Sequence, residues 1–252
     1  VETMLLASRA SQAPLNTSQT GMVVAMATSG RRVQLCLAPA GSGKTTAMHA
    51  LTTAWANSGG NVIGLAPSAT AAKQLGQALG DDAPSETLHK LARELSVANP
   101  AEWVERITAK TLVIIDEAGM ADTLILDHVI GYALDHGASV RLIGDDQQLG
   151  AIASGGVLRD IATQHGAIRL DEVLRFHDPA ERTASLALRE GDPGALGFYY
   201  DQQRVHVGDS TTATAGLFEA WLDDKRRGLD ALMLAPTKDR VAALNQQARS
   251  HR

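Results

Sequence analysis

The stretch Val33-Gln34-Leu35-Cys36-Leu37-Ala38-Pro39-Ala40-Gly41-Ser42-Gly43-Lys44-Thr45-Thr46 decides the fold. It reads as an apolar strand, a glycine-bearing loop and the first turn of a helix that continues to Asn57. Gly41 and Gly43 let the backbone curl so that successive N–H groups point inward. The helix start adds its own unpaired N–H groups and the positive end of its dipole. A loop of this kind cradles phosphates. Lys44 supplies a mobile ammonium for the β- and γ-phosphates of a nucleoside triphosphate, and the Thr45 hydroxyl supplies a ligand for Mg2+. Ala40, Gly41, Ser42, Gly43 and Thr46 complete the expected nucleotide-binding wall, with Ala38 where this loop more often has its first glycine.

Outward from the loop, short apolar runs alternate with helical patterns. Candidate strands are 33–38, 61–66, 111–116, 140–144, 167–170, 204–207 and 231–235; helical stretches lie at 44–57, 69–79, 123–135 and 154–163. A shorter amphipathic segment covers 86–95, and a last helix covers 237–252. Leu112-Val113-Ile114-Ile115 is apolar without alternation, as expected of a strand covered on both faces. Strand then helix, repeated, means a parallel sheet of βαβ units. Breaks at Gly80–Pro84 and Arg175–Pro179 interrupt the pattern, and helices dominate after the second. A domain boundary is expected near residue 166.

The composition narrows the class. Hydrophobic residues make up 44% and charged residues 20% of 252, within the globular range, and with 4% aromatics the core must rest on Leu, Val, Ile and Ala. A single cysteine, Cys36, forms no intrachain disulfide and suits a reducing, cytoplasmic setting. The net charge of −5 argues against a constitutive polyanion binder, although a locally basic groove is compatible with it. No apolar run is long enough to span a membrane. The chain opens on Val1 and ends on a helix without a following strand, from which we expect a piece of a longer protein.

Two more strand ends carry chemistry. Thr111–Ile115 ends in Asp116-Glu117. This strand is expected beside the phosphate loop, with Asp116 holding Mg2+ through a water and Glu117 polarising the attacking water. A solvated helix cap is the plainer reading of an Asp-Glu pair, but the phosphate loop upstream favours catalysis. Glu117 also tilts the reading from phosphoryl transfer to an acceptor toward hydrolysis. The strand 140–144 ends in Asp145-Asp146-Gln147-Gln148, whose amides are able to hydrogen-bond a γ-phosphate, or else form a polar turn. Arg175, beyond Leu170-Asp171-Glu172-Val173-Leu174, is a candidate to reach across an interdomain cleft and stabilise charge on the transferring group.

Together these motifs resemble superfamily-1 helicases of the RecD-like branch, over the whole chain. Leu15–Gln19 is similar to the family's N-terminal motif, which implies that Gln19 reads the adenine edge of ATP. The segments 65–72 and 85–91 resemble its single-stranded-DNA elements, which gives Pro67, Ser68, Thr70, His89 and Lys90 as DNA-binding residues. Asp116-Glu117-Ala118 resembles the metal and hydrolysis motif. Gly144–Leu149 resembles the coupling motif and selects Gln148 over Gln147, with Gly150 where the family often has Pro. Leu170–Arg175 resembles the motif of the arginine finger. Arg175–Glu181, together with 232–237 and Leu244-Asn245, looks like conjugative relaxase-helicases of the TraA/TrwC type.

The resemblance implies an α/β fold: a RecA-like P-loop NTPase domain over residues 1–166, followed by the start of a second, partial RecA-like lobe over 167–252. It implies ATP and Mg2+ as cofactors, Lys44, Asp116, Glu117, Gln148 and Arg175 as catalytic residues, and Thr45 and Asp116 as metal ligands. Single-stranded DNA is the implied partner, with an upstream nicking domain in the parent chain, 5′-to-3′ movement, and no unwinding by the isolated piece. A RecD-type repair helicase, a P-loop kinase and a non-hydrolysing ATP-binding module are the alternatives.

Overall fold

A computed structural model describes residues 14–148, 156–170, 172 and 175–251. Within it six strands form one parallel sheet: β1 (Val33–Leu37), β2 (Asn61–Ala66), β3 (Ser85–Thr87), β4 (Thr111–Ile115), β5 (Ser139–Gly144) and β6 (Ile168–Arg169). Their order is β3-β2-β4-β5-β1-β6. The centre is apolar without alternation because both faces are covered. Val113 and Ile115 enter one core, Leu112 and Ile114 the other. Successive side chains of a strand point to opposite faces, so a doubly covered strand must be apolar throughout.

Helices α1 (Thr17–Thr28), α2 (Lys44–Asn57) and α3 (Ala69–Leu79) cover the face of Cys36, Leu112 and Ile114 through Met22, Met26, Met48, Leu51 and Leu75. On the other face, α4 (Leu88–Glu94), α5 (Glu102–Glu105), α6 (Thr123–Asp135) and α7 (Val157–His165) bring Leu91, Val104, Leu126, Val129 and Leu158 against Leu35, Val113 and Val140. Each such Leu, Ile or Val contributes about 1.5–3 kcal/mol relative to an exposed one. Cys36 is buried, as its apolar surroundings imply.

The chain divides into two compact units, Val1–Arg189 and Glu190–Arg252. The expected boundary at residue 166 therefore falls inside the first unit. β6 extends the first sheet by pairing Cys36 with Ile168 and Leu37 with Arg169, and helix α8 (Pro179–Arg189) follows within the same unit. The second unit carries α9 (Leu196–Asp201), α10 (Ser210–Arg226) and α11 (Lys238–Ser250). Phe218, Leu222 and Leu244 form its small core.

In the sheet β5 lies between β1 and the strand 111–115. Further expectations change. The runs 204–207 and 231–235 form no strands; Val207, Leu232 and Leu234 are exposed, and a strand is stable only when its ladder is paired. The segment 86–95 splits into edge strand β3 and α4, with the Thr87 hydroxyl capping the helix. Helix α7 is described from Val157, and the earlier part of the expected helix at 154–163 is not among the described residues. The same is true of Leu149, Gly150, Asp171, Val173 and Leu174.

Candidate nucleotide site

The loop after β1 has the expected shape. Gly41 (φ 81°) and Gly43 (φ 75°) lie in the left-handed region, and Gly43 precedes α2 with no side-chain cap. The first-turn N–H groups of α2, around Lys44, Thr45 and Thr46, thus have no intrahelical carbonyl and are open to an anion. Ala40 and Thr45 are exposed, whereas Ser42 is buried with its Oγ lacking a hydrogen-bond partner.

Although β5 separates β4 from β1, the end of β4 meets the loop, where it is expected. Lys44 Nζ lies 2.6 Å from Glu117 Oε1 and 3.3 Å from Asp116 Oδ1. Burial alone would push the Lys44 ammonium down, but the two carboxylates outweigh it and hold its pKa above the ordinary value. Burial also pushes the Asp116 carboxyl up, with Lys44 opposing and Glu117 reinforcing. Glu117 adopts a left-handed conformation (φ 52°) that a non-glycine residue takes only when its surroundings enforce it. Its N–H donates to Asp116 Oδ1, and a 3₁₀ turn, Ala118–Met120, follows. Gly144 permits this close fit: a Cβ there would meet Leu158 Cδ1 at 2.7 Å and the Gly119 nitrogen at 3.2 Å.

Gln19 is buried at the start of α1. Its Nε2 donates to the carbonyls of Ser42 (3.4 Å) and Gly43 (3.2 Å), and its Oε1 accepts from the Asn16 N–H. Asn16 Oδ1 accepts from the Gln19 N–H, completing a capping box. The residue expected to read a base is thus here a brace between α1 and the phosphate loop. Arg175 is exposed and lies over that loop within the first unit; a Cβ on Gly41 would fall 2.6 Å from Arg175 Cβ and 3.2 Å from its Nε.

Gln148 is exposed and lines a cavity of about 160 Å³ with Asp145, Asp146, Gly119 and the start of α7. Asp145 is buried and ion-paired with Arg189, which also lies 3.2 Å from Asp146 Oδ1. Two residues escaped the sequence reading. One is Arg189. The other is Arg141, fully buried on β5, which donates to the carbonyls of Met26 (2.9 Å), Val140, Arg31 and Arg32 and so fastens the last turn of α1. Burial lowers its guanidinium to about 10. A charge inside the otherwise apolar run Val140-Arg141-Leu142-Ile143 was its signal.

The expected DNA residues gather at the other end of the same sheet edge. β2 and β3 run in parallel with Ala66 opposite Thr87, so the segments that follow each, with Pro67, Ser68 and Thr70 on one and His89 and Lys90 on the other, emerge side by side. Thr70 and His89 are exposed. The Ser68 hydroxyl accepts from the Ala71 N–H to cap α3, and the Lys90 ammonium is paired with Glu86.

A family model described as an AAA domain matches residues 14–210. The chain belongs to this family. This chain is 32% identical over 225 residues to the conjugal transfer protein TraA of Rhizobium radiobacter, covering 86% of this chain and 19% of that protein. It is 30% identical to the probable conjugal transfer protein TraA of Sinorhizobium fredii, again over 19% of the relative's length. The expected likeness to the TraA type therefore holds, and the chain spans about a fifth of the length of those relatives. Among solved structures, Pif1 of Bacteroides sp in complex with ADP-AlF4 is similar in fold, with a TM-score of 0.50 and 22% identity over 74% of this chain and 49% of that one. No described helix is long and apolar enough to cross a membrane.

Proposed function

We propose that this AAA domain is an ATP-hydrolysing motor that acts on single-stranded DNA, the helicase part of a conjugative relaxase. The observation that carries the proposal is the cluster of Lys44, Asp116 and Glu117 at the mouth of the phosphate loop. Lys44 holds Glu117 directly. Triphosphate on the loop N–H groups draws the ammonium to the β- and γ-phosphates, which frees Glu117 to take a proton from water. The water oxygen bonds to the γ-phosphorus as the bond to the β–γ bridging oxygen breaks, leaving ADP and phosphate. Arg175 offers positive charge to the transferring group, and Gln148 reports its departure. This water-activating geometry favours hydrolysis over kinase chemistry.

Thr45 and Asp116 fit a Mg2+ ion. Such an ion typically takes only one or two protein oxygens, with water and phosphate completing its shell, and it would neutralise charge on the phosphates. Gln19 reads adenine once its amide leaves the loop carbonyls. DNA crosses the β2–β3 end of the sheet at Pro67, Ser68, Thr70, His89 and Lys90, and stepping runs 5′ to 3′. Residues 190–252 then begin a second RecA-like lobe. On this reading the chain alone hydrolyses ATP without unwinding duplex DNA. A cytoplasmic location and an attached nicking domain complete the proposal for the parent protein.

Fluorescence anisotropy with a labelled single-stranded oligonucleotide tests the reading. Affinity should shift severalfold between the nucleotide-free and ADP-AlF4 states and fall with salt. Affinity indifferent to nucleotide would contradict it.

A further inference from the structure

We propose that Arg189 is a positioning residue for the turn Asp145–Gln148; the inference rests on the ATPase reading above. Among the described residues, the turn is held mainly by contacts from later in the chain. Gln147 and Gln148 are exposed, and the turn follows β5 without a helix of its own. What fixes it comes from later in the chain. Arg189, the last residue of α8, places one guanidinium nitrogen on both Asp145 Oδ1 and Asp146 Oδ1. The same Asp145 oxygen accepts the Gln147 N–H at 3.0 Å. Arg159 of α7 adds a bond to the Asp146 carbonyl at 3.1 Å.

The arrangement differs from an ordinary surface ion pair. Asp145 is only 7% exposed, and Arg189 and the turn's own N–H meet its carboxylate. Both contacts come from a single guanidinium nitrogen at the end of a long side chain, so their geometry depends on the full reach of Arg189. The turn also abuts the catalytic segment: a Cβ on Gly119, two residues past Glu117, would come within 3.2 Å of the Asp145 carbonyl. Arg189 is also the final residue of the first compact unit, and the backbone of the second begins at the next peptide bond.

Steady-state ATPase kinetics on the full chain test this, beside thermal melts. Arg189→Ala should lower kcat by about tenfold or more, the scale of a small misplacement, and leave KM for ATP within about twofold. Asp145→Asn should do the same, and the double variant should lose no more than either alone. Arg189→Lys should recover only part of kcat, and with Asp145→Asn it carries the test if the alanine variant melts early. Wild-type kcat in Arg189→Ala, a change confined to KM, or losses that multiply in the double variant would overturn the proposal. Wild-type phosphate release that does not depend on Lys44 would instead overturn the ATPase reading on which it rests.

Discussion

Replacing Gly41 by alanine separates the shape of the phosphate loop from the general stability of the fold. At φ 81° the new Cβ incurs the left-handed penalty, about 1–2 kcal/mol for an L-residue. It also meets Arg175 Cβ at 2.6 Å, well inside the ordinary separation of carbon atoms, about 3.5–4.0 Å. Either Arg175 or the loop must move by roughly 1 Å, a displacement that costs on the order of 100-fold when it falls on reacting groups. Gly59 provides the control. Its φ is 84° and a Cβ there meets nothing within 4 Å, so Gly59→Ala carries the same backbone penalty without the clash. Urea denaturation should show both variants losing about 1–2 kcal/mol. Phosphate release should collapse only in Gly41→Ala. Equal ATPase rates in the two variants would refute the argument that Arg175 rests on the loop.

Three further outcomes are expected. Glu117→Gln should keep ATP binding within severalfold and cut turnover by about 100-fold or more, measured by nucleotide titration beside phosphate release; unimpaired turnover would remove Glu117 from catalysis. Asp116 has its folded pKa raised above 3.8, mainly by burial, so its contribution to stability is favourable at low pH, declines as pH rises through the raised value, and is a full cost above it. Asp116→Asn should therefore gain relative stability as pH rises out of the acidic range while losing hydrolysis, and a pH series of urea melts with no such trend would contradict the assignment. Arg141→Met should cost about 2–3 kcal/mol, because the carbonyls of Met26, Val140, Arg31 and Arg32 lose their donor, and the same melts would show no loss if water replaces it.

The legible part of the molecule was the part set by local chemistry. The glycines, Lys44 and the flanking periodicities gave the loop, β1 and α2, and the unbroken apolar run at 112–115 gave a strand covered on both faces. Sheet order was not legible, since which strand stands beside β1 depends on packing between distant segments. The strand found there is β5, with β4 beyond it. The runs 204–207 and 231–235 looked like strands because apolar residues form a strand only if another strand pairs with them, and composition does not report the partner. Helix α1 escaped although Asn16 and Gln19 form a capping box ahead of Met22, Val23 and Met26. The family resemblance assigns Gln19 only a base contact. Arg189 escaped because its meaning lies in Asp145 and Asp146, more than forty residues earlier in the chain.

The most direct test of the central claim is phosphate release from ATP by this chain with and without single-stranded DNA, run beside Lys44→Ala. The account predicts release that requires Lys44 and rises severalfold when DNA occupies the Pro67–Lys90 edge. Release that is absent in both conditions, or identical in the wild type and Lys44→Ala, would contradict it.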